Sequence, residues 1–256
     1  MNFTHYSYKN NSTFYEGAAK LISKWAEEAI DRRERFTIAL SGGNTPKTLY
    51  ELLSAPDYRT RINWKRVHVF WGDERYVPKD NPQSNYHMAF ESLLSKVPLS
   101  ENSIHPIPGP NESQSIEHAA RLYEQTIRSF FHPGQTSTAI PVFDVVLLGM
   151  GDDGHTASLY PKSPALKERR KLVVAVHAPE YAPVKERVTI TLPVLNSALN
   201  VLFLVSGESK RTVLQNVLSQ MHRGQPSYPA SMVKPAGNLF VLTDLHLESS
   251  EEEKDP

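Results

Sequence analysis

The sequence predicts an α/β fold: a single domain with a mainly parallel, doubly wound sheet and helices on both faces. Three observations carry that expectation. Short apolar runs of strand length alternate along the chain with segments of helical period. Many of those runs end in glycine, serine or aspartate, the chemistry of loops at the carboxyl ends of parallel strands. No internal repeat and no linker-like stretch divides the 256 residues, a length sufficient to bury a substantial core.

Each element has its own reason. Phe14 to Ile30 places Phe14, Ala18, Leu21, Ile22, Trp25 and Ala29 at helical spacing with the charges opposite, an amphipathic helix packed on a sheet. Phe36 to Leu40 is a short strand, Ser41-Gly-Gly-Asn-Thr-Pro46 a glycine loop, and Pro46 to Leu53 a helix with proline in its first turn. Val67 to Trp71 is the next strand and ends in Gly72-Asp-Glu-Arg75. Helices follow at Ser84 to Leu94 and Ser113 to Phe131, joined by a proline-rich connector from Val97 to Pro110. Phe143 to Leu148 reads as a buried strand. Further strands are expected at Leu172 to Val176, Val188 to Leu192, Val201 to Val205 and Leu239 to Leu242, with a helix from Ser209 to Leu218. The domain is expected to span residues 1–247, and the acidic, apolar-free tail 248–256 to be disordered.

Lys plus Arg equals Asp plus Glu at 28 each, so no electrostatic footprint for nucleic acid or an anionic membrane exists, and any anion selectivity must be local. Cysteine is absent, which excludes disulfides, thiol nucleophiles and Cys-metal sites. Residues 1–11 lack an apolar signal segment, and no apolar run approaches the ~18 residues of a membrane span. A cytoplasmic protein is expected, a monomer or weak homodimer.

The chain is organised around Val145-Val-Leu-Leu-Gly-Met-Gly-Asp-Asp-Gly-His155-Thr-Ala-Ser-Leu-Tyr-Pro161. An abrupt loop at a strand's carboxyl end is where an open α/β sheet binds ligands. Gly149, Gly151 and Gly154 are expected to supply positive φ and close backbone approach. Asp153 and His155 are thereby presented into a cleft as a carboxylate-oriented base. The stretch also matches G-x-G-x-x-G, a dinucleotide fingerprint. That reading fails on three counts: Pro161 and Pro164 leave room for only about two helical turns, Asp152 and Asp153 repel a pyrophosphate, and the next strand ends in His177-Ala-Pro without the required acid.

Four further features converge on strand ends. Ser41-Gly-Gly-Asn-Thr45 precedes a helix, where backbone N–H groups and the helix dipole favour an anion. Gly72-Asp73-Glu74-Arg75 is a charged cluster after a strand, Arg187 stands before a Thr-rich strand, and Ser206-Gly-Glu-Ser-Lys210 is a strand-to-helix turn. One anion loop, three cations and a His/Asp pair suit a small phosphorylated substrate, its phosphate on Ser41 to Thr45 with Lys210 and Arg187 as charged donors.

Together with Ser84-Asn-Tyr86 and Arg187-Val-Thr-Ile-Thr-Leu-Pro193, these blocks resemble the 6-phosphogluconolactonases of the glucosamine-6-phosphate isomerase/deaminase superfamily. The resemblance spans nearly all of the chain outside the termini. It implies a Rossmann-like fold similar to that of glucosamine-6-phosphate deaminase, and hydrolysis of 6-phospho-D-glucono-1,5-lactone in the oxidative pentose phosphate pathway. The deaminase branch carries a glutamate five positions after the histidine; here that residue is Tyr160, which favours the lactonase. The alternatives are a deaminase-type enzyme and a non-catalytic sugar-phosphate sensor. On the favoured reading His155 is the general base, Asp153 or Asp73 orients it, and Arg75 stabilises the oxyanion. Ser41, Gly42, Gly43, Thr45, Arg187 and Lys210 hold the phosphate. No metal or other cofactor is expected. His5, His68, His87 and His118 are expected to be structural or surface groups.

Overall fold

The structure, a computed structural model of the chain, describes residues 3–134 and 138–247. The acidic tail expected from Glu248 onward lies outside the described residues. In chain order the first elements are β1 (Thr4–Ser7), α1 (Asn11–Arg33), β2 (Phe36–Leu40), α2 (Asn44–Ser54), α3 (Pro56–Arg59), β3 (Val67–Trp71) and β4 (Asp73–Arg75). Then come α4 (Asn85–Ser92), α5 (Ile116–Phe131), β5 (Val145–Leu148), β6 (Val173–His177) and β7 (Glu186–Ile190). The chain closes with α6 (Leu192–Ser197), β8 (Asn200–Val205), α7 (Arg211–Arg223) and β9 (Asn238–Thr243).

Local chemistry sets the helix ends. The Asn10 side chain accepts from Thr13 N–H at 3.0 Å and opens α1. Glu34, left-handed at φ 57°, closes it by donating its N–H to Ile30 O at 2.7 Å. All six apolar positions named for this helix are buried. Ser84 and Ser115 cap α4 and α5, and Gly224 at φ 68° ends α7.

Six strands form one parallel sheet in the order β1-β9-β8-β5-β2-β3. Every residue of β2, β5 and β8 is buried, as helices on both faces require of a parallel sheet. From β2 the chain moves outward to β3; from β5 it moves the opposite way, to β8. The order therefore reverses between β2 and β5, and the crevice beyond their carboxyl ends is the ligand position of such sheets. Among the described residues no helix is long and apolar enough to cross a membrane.

Two features depart from the expectations above. Thr4–Ser7, where the sequence predicts no element, is an edge strand paired with β9 from Thr4↔Phe240 to Ser7↔Thr243. The strands expected at 172–176 and 188–192, together with the charged stretch after Gly72, make a separate antiparallel sheet in the order β4-β7-β6. Gly72 is the corner: its N–H still donates to Leu40 O of β2 at 2.8 Å, while its carbonyl accepts from Ile190 N–H of β7 at 2.9 Å. Residues 73–75 are thus a short strand, not a loop. Because side chains alternate along a strand, Asp73 and Arg75 share one face and Glu74 takes the other.

Three imidazoles make folding sensitive to mild acid. Burial, with His222 nearby, lowers His5 to about 4. Burial, with His68 beside it, lowers His105 to about 4, and burial with Arg35 lowers His68. In the unfolded chain these groups titrate near 6.5, so between pH 6.5 and about 4 the unfolded state binds more protons and stability falls as pH falls. Unfolding at pH 5.5 is expected to take up about two protons, one each for His5 and His105. Denaturation midpoints measured from pH 7 to 4.5 check this; a flat profile down to pH 5 contradicts it.

Candidate active site

The amino end of α2 lies at the carboxyl end of β2. Gly43 stands at its N-cap with φ 107°, a left-handed value that a side chain disfavours, and no side chain caps the helix. The first-turn N–H groups, which have no intrahelical acceptor, therefore carry the positive end of the helix dipole into the crevice. Tyr50 fixes the entry to this turn: its hydroxyl accepts from Ser41 N–H at 3.1 Å and donates to Ser41 O at 2.9 Å. The Ser41 hydroxyl is buried with no hydrogen-bond partner among the described residues. At Gly42 a Cβ would stand 1.9 Å from Asn85 Oδ1, so any side chain there displaces the Asn85 amide.

The second wall is the loop after β5. Gly151 N–H donates to His155 O at 2.9 Å, Gly154 N–H to Gly151 O at 3.0 Å, and Thr156 Oγ1 to Gly149 O at 2.9 Å, so the turn closes on itself. Gly154 has φ 74°; Gly149 and Gly151 do not take positive φ, and the expectation for those two is corrected. Gly151 serves through its bare Cα instead, because a Cβ there would lie 2.1 Å from His155 Nδ1 and Cε1. Asp153 Oδ1 is 2.6 Å from His155 Nδ1 and also accepts His155 N–H at 3.1 Å. Its other oxygen accepts from the Tyr181 hydroxyl. Partial burial opposes ionisation of Asp153, yet these hydrogen bonds outweigh it and hold the carboxyl below the ordinary Asp range. The Tyr160 ring packs 4.6 Å from the imidazole, centroid to centroid.

The small sheet supplies the third wall. Its β4–β7 register sets Arg75 opposite Arg187 and Asp73 opposite Thr189. Like charges directly opposite repel, and an anion between the two guanidinium groups would relieve that repulsion. Arg187 is buried, with its Nε donating to Val184 O at 3.0 Å, and Arg75 Nη1 donates to Gln83 O at 2.6 Å. Asp73 is buried and accepts the Ser158 hydroxyl at 2.5 Å. Glu74, on the opposite face, accepts N–H groups of Asn85 and Tyr86 at 2.7 Å each and the Ser84 hydroxyl at 3.0 Å. Burial pushes the Glu74 carboxyl up, and its role is to seat the start of α4.

These walls enclose a cleft of about 400 Å³. Of the residues expected at the site, Ser41, Gly42, Gly43, Thr45, Asp73, Arg75, His155, Arg187 and Lys210 line it. Asp153 stands behind His155 and touches the cleft only through it. Asn85 also lines the cleft, and Tyr181 is joined to Asp153. Neither was singled out as a site residue from sequence. Lys210 Nζ is 2.5 Å from Asp152 Oδ1. Among the described residues no group of three or more His, Asp or Glu side chains is placed to hold a metal ion.

A family model described as glucosamine-6-phosphate isomerases/6-phosphogluconolactonase matches residues 9–241. The chain is 41% identical over 235 residues to a 6-phosphogluconolactonase of Synechocystis sp., an alignment covering 92% of each. It is similar to the solved 6-phosphogluconolactonase of Trypanosoma brucei, with TM-score 0.82 and 29% identity over 94% of this chain and 96% of that one. A monomeric glucosamine-6-phosphate deaminase has the same fold, with TM-score 0.76 and 20% identity over 94% and 97% of the two chains.

Proposed function

The chain belongs to the glucosamine-6-phosphate isomerase/6-phosphogluconolactonase family, and from that premise we propose that it hydrolyses 6-phospho-D-glucono-1,5-lactone to 6-phosphogluconate. One observation supports this most directly: an imidazole oriented by an ionised carboxylate faces the same cleft as an uncapped helix end, Lys210 and two arginines.

The reaction runs on these groups as follows. The lactone phosphate rests on Ser41, Gly42, Gly43 and Thr45, with Lys210 and Arg187 as charged donors. Asp153 accepts the Nδ1 proton of His155, which leaves Nε2 unprotonated and basic. Nε2 takes a proton from water while the water oxygen adds to the lactone carbonyl. Arg75 balances the charge that forms on the carbonyl oxygen. When the ring C–O bond breaks, the imidazolium returns its proton to the departing ring oxygen and the product carboxyl ionises. Asp153 is the orienting group, because Asp73 is engaged by Ser158 on another wall. Tyr160, five residues after His155, is no proton carrier for ring opening of an amino sugar.

A paired assay tests the reading. Purified protein should open the lactone faster than buffer and faster than its His155→Ala variant, and release no ammonia from glucosamine 6-phosphate. Ammonia release would favour a deaminase; saturable product binding without turnover would favour a sensor. Arg187→Ala is expected to raise KM by about tenfold or more with a smaller change in kcat, because a phosphate contact serves ground state and transition state alike. A fall confined to kcat would move Arg187 to the reacting carbon.

A further inference from the structure

Asp152 has no part in the chemistry above, yet its carboxylate is the ion-pair partner of Lys210, at 2.5 Å across two loops. The two side chains sit differently: that of Lys210 is 22% exposed and lines the cleft, whereas that of Asp152 is 75% exposed and does not. The ammonium therefore has the cleft on one side and a solvent-facing carboxylate on the other. Neither loop depends on the pair for its shape. Asp244 anchors the turn before Lys210, accepting the Ser206 hydroxyl at 2.5 Å and Gly207 N–H at 3.0 Å. The Gly151–His155 turn is closed by its own backbone bonds, and Ala230 N–H adds a bond to Gly154 O at 3.0 Å.

From this geometry, and resting on the proposed reaction, we infer that Asp152 is an internal rival of the phosphate group for Lys210. It weakens the hold on the anionic end of substrate and product and so speeds product release. Two effects compete when the carboxylate is removed. Losing an exposed ion pair frees the lysine, and such pairs alter an equilibrium by at most about fivefold. Removing a negative charge within about one Debye length of a bound dianion favours that dianion, and both of its charges count. Because the backbone beneath Lys210 is fixed elsewhere, the charge effect wins. The hydrolysed product, which carries a carboxylate besides its phosphate, is repelled more than the lactone, as release requires.

The test is Asp152→Asn, with Asp152→Glu as the charge-conserving control and thermal unfolding to confirm that both fold. Calorimetric Kd for inorganic phosphate, and the inhibition constant of 6-phosphogluconate, should fall by about three- to tenfold in Asp152→Asn. KM should fall with them, the difference should shrink at high salt, and Asp152→Glu should match the parent. Unchanged or weaker phosphate binding in a folded Asp152→Asn protein overturns the inference, since a merely orienting role predicts that direction. Phosphate binding needs no turnover, so the two readings fail separately: tighter phosphate with no lactone hydrolysis keeps Asp152's role and removes the proposed reaction.

Discussion

His155→Ala is expected to lower kcat by about 10²–10⁴ with a much smaller change in KM. The imidazole lines the cleft and is hydrogen-bonded to a carboxylate behind it. The groups assigned to the phosphate lie on other elements, the turn between β2 and α2, β7 and the turn after β8, so truncating the ring leaves them intact. Residual activity above buffer should persist, because Arg75 and the anion site still orient the lactone against water. The measurement is initial rates against lactone concentration, corrected for spontaneous hydrolysis. Full activity in a folded His155→Ala protein would end the assignment of the base.

Gly151→Ala should cost about 10² in kcat while leaving phosphate binding near its parent value. The added methyl would stand 2.1 Å from two atoms of the His155 ring and 2.9 Å from Asp153 Oδ1. No real contact is that short, so the imidazole must swing away from the carboxylate that orients it, and a displacement of about 1 Å is enough for a loss of this size. Gly149→Ala is the internal control: nothing lies within 4 Å of a Cβ at that position. Comparable kcat for the two alanine variants would mean that the ring tolerates displacement.

The sequence was most legible where its chemistry is local. The apolar runs of β2, β3, β5 and β8 are buried strands, and the glycine-rich and charged stretches that follow them stand at one crevice. Less legible was whatever depends on partners distant along the chain. Arg187-Val-Thr-Ile-Thr191 alternates polar and apolar residues, a period that points to an antiparallel partner, although in the fold all five are buried. The alternation of strand and helix along the chain points the other way, to a parallel sheet, and the pairing of β7 with β4 and β6 overrides it. β1 carries too few apolar residues to announce itself, and its pairing with β9 joins the two ends of the domain. Tyr181 reaches Asp153 across 28 residues, and no spacing rule foretells that contact. Asn85 lay inside a recognised block, but its place in the cleft follows from how Glu74 seats α4, a tertiary fact.

The corner at Gly72 also divides labour by parity. Odd positions 73 and 75 line the cleft, while even position 74 fastens a helix, and the three are consecutive. The lining at position 73 can therefore change without disturbing the carboxylate that fastens the helix, whereas inserting a single residue would exchange the two duties at a stroke, turning a guanidinium away from the cleft and the fastening carboxylate toward it.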